Sequence, residues 1–133
     1  MTSRHLLKSL TLLTLMTLSA CGAPSGQSAD PHLSRSMMIG SWVQRGEICE
    51  GDSGVTYRAD GSYGAYDISG EWTLSGNRLL TTVTERGEPL EPSVRVDPPE
   101  RYESTVLSAA PDNRKERWSD GSLHEYRRCP DAP

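Results

Sequence analysis

Turn signals at short, regular spacing constrain this chain more than any other feature. Asp60-Gly61, Ser69-Gly70, Ser75-Gly76-Asn77, Pro111-Asp112-Asn113 and Asp120-Gly121 punctuate it. Between them lie short runs suited to a half-buried pleated surface. Val55, Tyr57 and Ala59 alternate with polar residues, and Tyr63 and Ala65 follow the first Asp-Gly. Further runs span Glu71 to Leu74, Arg78 to Thr84, Tyr102 to Ala109, Arg114 to Ser119 and Ser122 to Cys129. No helical periodicity of useful length is present. The pattern specifies an all-β domain, a small antiparallel up-and-down barrel of about eight strands.

The turns also set registers. A two-residue turn at Asp60-Gly61 would place Tyr57 opposite Gly64. A three-residue loop with Gly61 in the left-handed region places Tyr57 opposite Tyr63 and Val55 opposite Ala65. The second keeps the apolar residues on one face and is the register expected. A two-residue turn at Asp120-Gly121 would pair Trp118 with Leu123. Residues 86–99 hold four prolines, which a central strand does not accommodate, so a loop is expected there. Arg114, Lys115, Arg117, Arg127 and Arg128 cluster near the end, interrupted by Glu116, Asp120 and Glu125. They read as a solvated sheet face.

The first 20 residues do not belong to this domain. Arg4 and Lys8 precede a short apolar stretch from Leu10 to Leu18. That stretch is too short for a bilayer core, which needs about 20 residues. A basic start, a short apolar core and small residues before a cut read as a signal peptide, residues 1–20. Leu18-Ser19-Ala20-Cys21 resembles the lipobox of bacterial lipoproteins. The resemblance implies lipidation of Cys21 after cleavage, and two or three acyl chains make a stable anchor. Gly22 stands where that family's best-known retention signal is Asp, which is compatible with an outer membrane, facing the periplasm or the cell surface. Residues 21–37 then form the anchor and a flexible tether rich in Gly, Ala, Pro and Ser. It would hold the domain roughly 20 Å from the lipid. The barrel domain is expected over 38–130, with a tail at 131–133.

Export changes the charge and cysteine accounting. The chain has 14 basic and 18 acidic residues. Without Arg4 and Lys8 the counts are 12 and 18, a net charge of −6. Such a domain is poorly suited to nucleic acid. With Cys21 lipidated, Cys49 and Cys129 remain, and an even pair in an oxidising compartment implies one disulfide. Two cysteines without a nearby histidine pair do not make a metal site. No metal or cofactor is expected.

Gly40-Ser41-Trp42, then Tyr57 to Tyr63, Gly70-Glu71-Trp72 and Gly76-Asn77-Arg78-Leu79 resemble the small bacterial lipocalin-like domains. The likeness covers roughly residues 39–84. It implies an antiparallel barrel with Trp42 at the closed end beneath an arginine of the last strand, Arg127 or Arg128. A disulfide from Cys49 to Cys129 fits the same family's habit of tying its C-terminal region to the barrel. The chain is much shorter than a full lipocalin, has no C-terminal helix and no Phe. The barrel is therefore expected to be filled by its own aromatic residues.

Tyr57, Tyr63, Trp72 and Trp118 are the candidate ligand-contacting residues, with Tyr66 and Tyr126 as further aromatics. Of the histidines, His5 and His32 fall outside the domain and His124 is expected to face solvent. Asp60 and Asp120 are explained by turn chemistry. No Ser-His-Asp, H-E-x-x-H or phosphate-loop motif is present, so no enzyme is expected. The reading favoured is a monomeric, membrane-anchored envelope lipoprotein whose barrel binds a small apolar ligand or an envelope protein. The alternative is a surface lipoprotein inhibitor of lysozyme or a protease.

Overall fold

A computed structural model describes residues 33–50, 53–87 and 91–130. The expected signal peptide 1–20, Cys21, most of the expected tether and the tail 131–133 lie outside the described residues. One helical turn, α1 (Arg35–Met38), precedes eight strands. These are β1 (Gly40–Gln44), β2 (Val55–Tyr57), β3 (Ser62–Gly64), β4 (Ile68–Ser75), β5 (Arg78–Arg86), β6 (Val94–Ala109), β7 (Asn113–Trp118) and β8 (Leu123–Arg128). Each pairs antiparallel with the next, and β8 returns to β1 to close the barrel. The all-β, eight-stranded meander is the architecture the turn spacing specifies. The expected boundary at residue 38 is the last residue of α1, and ordered structure begins earlier. Leu33 packs against the core and Met38 is fully buried.

Two hairpins share one turn. At β2–β3, Arg58 N–H donates to Ser62 O, Gly61 N–H to Arg58 O and Ser62 N–H to Asp60 Oδ1. Gly61 has φ +90°, which a β-carbon would strain. The loop is Ala59-Asp60-Gly61, so Tyr57 opposes Tyr63 as expected. At β7–β8 the bonds recur between Trp118 and Ser122, with Gly121 at φ +86°. The loop there is Ser119-Asp120-Gly121, and Arg117 opposes Leu123. Trp118 is therefore not paired with Leu123, because the turn carries three residues rather than two.

The proline-rich segment is not one long loop. β6 begins at Val94 and contains Pro98 and Pro99. Val83 pairs with Glu100 while Glu85 pairs with Arg95. Residues 96–99 thus oppose the single residue Thr84, and the prolines sit in a bulge where no ladder donor is needed.

The barrel interior holds Met38, Trp42, Tyr57, Tyr63, Trp72, Leu79, Val83, Val106 and Tyr126. Period-two alternation explains most of this set, as in Leu79 and Val83 of β5, with the buried Thr81 between them on the same face. Val43 alternates outward yet is 1% exposed. The β1–β2 loop folds back over it, with Gly54 against its side chain. A Cys49–Cys129 disulfide holds that loop, with a Cα–Cα distance of 5.6 Å. Arg127 assists by donating to Cys49 Sγ and to Glu47 O, at 3.2 and 2.6 Å.

Candidate functional site

The two ends of the barrel differ, and the difference defines the site. At the closed end α1 lies across the opening. Trp42 is fully buried and its indole N–H donates to Met38 O at 2.8 Å. The Arg128 guanidinium lies 4.2 Å from the Trp42 ring centroid and donates to Ile39 O, Met37 O and Pro111 O. Of the two arginines considered for this place, Arg128 occupies it and Arg127 holds the loop outside. Gly40 has φ +129°, a backbone conformation that L side chains rarely adopt, and lies against the Arg128 guanidinium. Gly70 is required because a β-carbon would strike the Thr82 carbonyl at the β4 bulge. Each Gly-x-Trp element thus has a steric cause.

Above this floor the largely apolar interior encloses a charged pair, against the expectation of a solvated face. Arg114 and Glu116 lie on the inward face of β7 and are each 2% exposed. This corrects the assignment of Arg114 to a solvated face. Arg114 Nε is 2.8 Å from Glu116 Oε1. The approach lies off the N–H direction, so it is an ion pair without a well-aligned hydrogen bond. The guanidinium sits 4.6, 4.8 and 4.6 Å from the ring centroids of Trp42, Tyr57 and Tyr126. Three aromatic faces therefore replace much of its lost hydration. Glu116 Oε2 accepts from Ser104 Oγ at 3.0 Å. Glu116 Oε1 and Arg114 Nη1 have no hydrogen-bond partner among the described residues.

A cavity of about 260 Å³ opens above the pair. Tyr57, Tyr63, Leu79 and Tyr126 line its wall, Ser104 and Glu116 reach its polar side, and Tyr102 and Trp118 also line it. The barrel is thus not filled by its aromatics alone. Eight strands leave an interior that side chains fill or that holds one small ligand. Tyr57 is pushed up to about 12 by burial, partly offset by the charge of Arg114. Tyr126 is likewise raised to about 12 by burial. Burial raises Tyr63 further. All three hydroxyls are protonated at neutral pH, so the wall offers donors and acceptors but no phenolate.

Three of the four candidate ligand-contacting residues, Tyr57, Tyr63 and Trp118, line this cavity. Trp72 does not. It is 1% exposed, donates to Arg58 O at 2.9 Å and packs edge-on to Tyr57, with Arg35 over its ring. Tyr66 is exposed at the surface. Trp118 is half-exposed and stacks on His124 at 4.3 Å between centroids. His124 is accordingly half-buried rather than free in solvent.

Asp120, Ser122 and His124 adjoin one another at the β7–β8 turn. Ser122 Oγ donates to Asp120 Oδ1 at 2.6 Å, and His124 Nε2 is 2.9 Å from the same Oγ. The serine is central, so its only proton goes to the aspartate and the imidazole must act as donor. A nucleophile triad needs the histidine in the middle, accepting that proton. The trio is turn chemistry.

Comparison with protein-family models, curated proteins and solved structures found no match.

Proposed function

We propose that the chain is an exported, lipid-anchored envelope protein whose lipocalin-like barrel binds a small molecule without transforming it. The observation that carries the binding reading is the cavity of about 260 Å³, in which aromatic walls adjoin one buried carboxylate. A mostly apolar concavity with a few convergent polar groups is the usual form of a small-ligand site. The lipobox-like Leu18-Ser19-Ala20-Cys21 carries the anchoring reading. Mass spectrometry of organic extracts from the purified, undenatured protein tests the first part. A stoichiometric small molecule, absent from a variant whose cavity is filled by Ser104→Leu, is expected. Occupancy unchanged by that filling would overturn it. Cys21→Ser tests the second, with loss of membrane fractionation expected while the barrel stays folded. Retention in the membrane pellet would overturn the anchor.

One observation favours inhibition of a lysozyme or protease instead. β7 first meets β6 at the Ser104–Trp118 pair, so residues 94–103 of β6 have no β7 partner. This leaves a strand edge with Val94 and Tyr102 exposed. Exposed strand edges are templates for pairing with another chain. Inhibition of a muramidase or protease panel at micromolar protein, abolished by a proline at Arg101, would support that reading.

A further inference from the structure

We propose that the cavity takes a compact, uncharged ligand bearing a carbonyl-type oxygen, and that the Tyr63 hydroxyl donates the hydrogen bond that recognises it. The inference rests on the small-molecule reading above and assigns the ligand's head group. Four tyrosines line the cavity, and three have hydroxyls already engaged. Tyr102 donates to Glu100 Oε2, Tyr57 accepts from Arg114 Nη2 at 3.4 Å, and the Tyr126 hydroxyl is bonded by the Trp118 side chain. The fourth, Tyr63, is 8% exposed, and its hydroxyl has no hydrogen-bond partner among the described residues. The sealed polar atoms without a hydrogen bond belong to Arg114 and Glu116 among these residues, so the Tyr63 oxygen is open to the cavity that it lines. A largely buried donor left without an acceptor is costly, and a ligand oxygen supplies one.

The donor is held in place before anything binds. The Tyr63 ring packs against Tyr57 at 5.4 Å between centroids, so little freedom is lost on binding. Burial raises the Tyr63 hydroxyl, and the charges of Arg114 and Glu116 act on it in opposite directions. It keeps its proton at neutral pH and serves as donor. Charge limits the partner. Arg114 and Glu116 already neutralise each other at 2.8 Å, so a ligand anion would add an unbalanced charge to a buried site. A ligand ammonium carries no acceptor for Tyr63. The oxygen of a ketone, ester or amide meets both conditions. The body of the ligand is apolar, since Val55, Ile68 and Leu79 line the same space. A volume of about 260 Å³ is at the small end for such sites, which excludes a long acyl chain.

Cyclohexanone and methylenecyclohexane share one shape and differ in that oxygen. Binding is read from the Trp118 indole resonance in the exported protein carrying Cys21→Ser, with and without Tyr63→Phe. The second substitution removes the hydroxyl and keeps the ring. It is expected to weaken cyclohexanone about five-fold and to leave methylenecyclohexane unchanged, which also shows that the cavity is intact. Cyclohexanecarboxylate is expected to bind about ten-fold more weakly than cyclohexanone when Tyr63 is present. A ketone that Tyr63→Phe does not weaken would overturn the assignment. So would equal weakening of ketone and hydrocarbon, which would make Tyr63 a wall and not a donor. Carboxylate binding as tight as that of the ketone would overturn the uncharged head. Each of these results leaves the small-molecule reading standing. Failure of all three probes to move Trp118 at millimolar concentration would overturn both readings.

Discussion

The closed end and the mouth of this barrel are built from the same residue types to opposite effect. At the closed end Trp42, Met38 and Trp72 are all but inaccessible, and Arg128 satisfies three backbone carbonyls over the Trp42 ring. At the mouth Trp118 and Tyr102 keep 41% and 50% of their surface, and Tyr102 bonds to the exposed Glu100. An aromatic ring with all its polar atoms matched is structural. One left half-open on the wall of a cavity is available to something else. The contrast teaches that a small barrel closes one end tightly enough to leave the other incomplete.

The largest effect should come from the floor. Trp42→Ala removes the ring shared by Arg114 and Arg128 and leaves both guanidinium groups without it. A loss of roughly 3–5 kcal/mol is expected, enough to unfold many small domains. Thermal unfolding followed by near-ultraviolet circular dichroism checks this. A shift no larger than that of a substitution at the mouth would erase the contrast between the ends.

The buried pair should come next, and it should be non-additive. Arg114→Ala strands Glu116 without its cation, at a cost of roughly 3–5 kcal/mol. Arg114→Met/Glu116→Leu removes the pair at similar volume and should cost much less, since a desolvated pair is often no better than apolar packing. Urea melts of both single variants and the double one give the coupling directly. Additive losses would show that the pair does not act as a unit.

How much of this was legible beforehand follows from particular residues. Asp60-Gly61 gave the β2–β3 register because only one loop length kept Val55, Tyr57 and Tyr63 on one face. The same rule was available at Asp120-Gly121. There both loop lengths leave charged residues on each face, so alternation could not choose between them. The prolines at 98 and 99 hid a strand because a bulge in an edge is invisible to local pattern. Arg114 and Glu116 were missed for a related reason. Lys115 and Arg117 point outward between them, so composition marks both faces of β7 as polar. The available signal was pairing: opposite charges two apart on one strand face, ending at Trp118, with Tyr126 opposite Arg114. The Trp42–Arg128 contact was legible only through a family resemblance, which left Arg127 and Arg128 open.

Alkaline pH gives a smaller effect that again falls below the mouth. Tyr57 is raised from 10.0 to about 12 by burial, and Tyr126 to about 12 for the same reason. A folded-state value above the unfolded one means that the folded protein holds its proton more tightly. The stability this provides is complete below pH 10 and is lost as pH rises towards 12. Tyr57 alone should account for roughly 2 kcal/mol of that loss. Tyr57→Phe should flatten the fall in urea midpoint between pH 10 and 12. Tyr102, raised chiefly by its hydrogen bond to exposed Glu100, lies at the mouth. Tyr102→Phe should leave the slope almost unchanged, and an equal flattening by both would place the alkaline sensitivity outside the core.

The smallest expected effect on stability is also the most informative. Trp118→Ala removes a ring that is 41% exposed and stacked on His124. The Trp118 side chain hydrogen-bonds the Tyr126 hydroxyl, a side-chain partner, whereas Trp42 holds the backbone carbonyl of Met38. A loss within about 1 kcal/mol is expected, set against the several kcal/mol of the floor tryptophan. Occupancy by the small molecule extracted from the purified protein should fall about ten-fold in the same variant, since one wall of the cavity goes with the ring. Calorimetric unfolding and mass spectrometry on one preparation measure both numbers. If stability fell as far as for Trp42→Ala, the mouth would be core. If neither number moved, Trp118 would be no more than exposed surface, and the cavity would have to be read from Tyr63 and Leu79 alone.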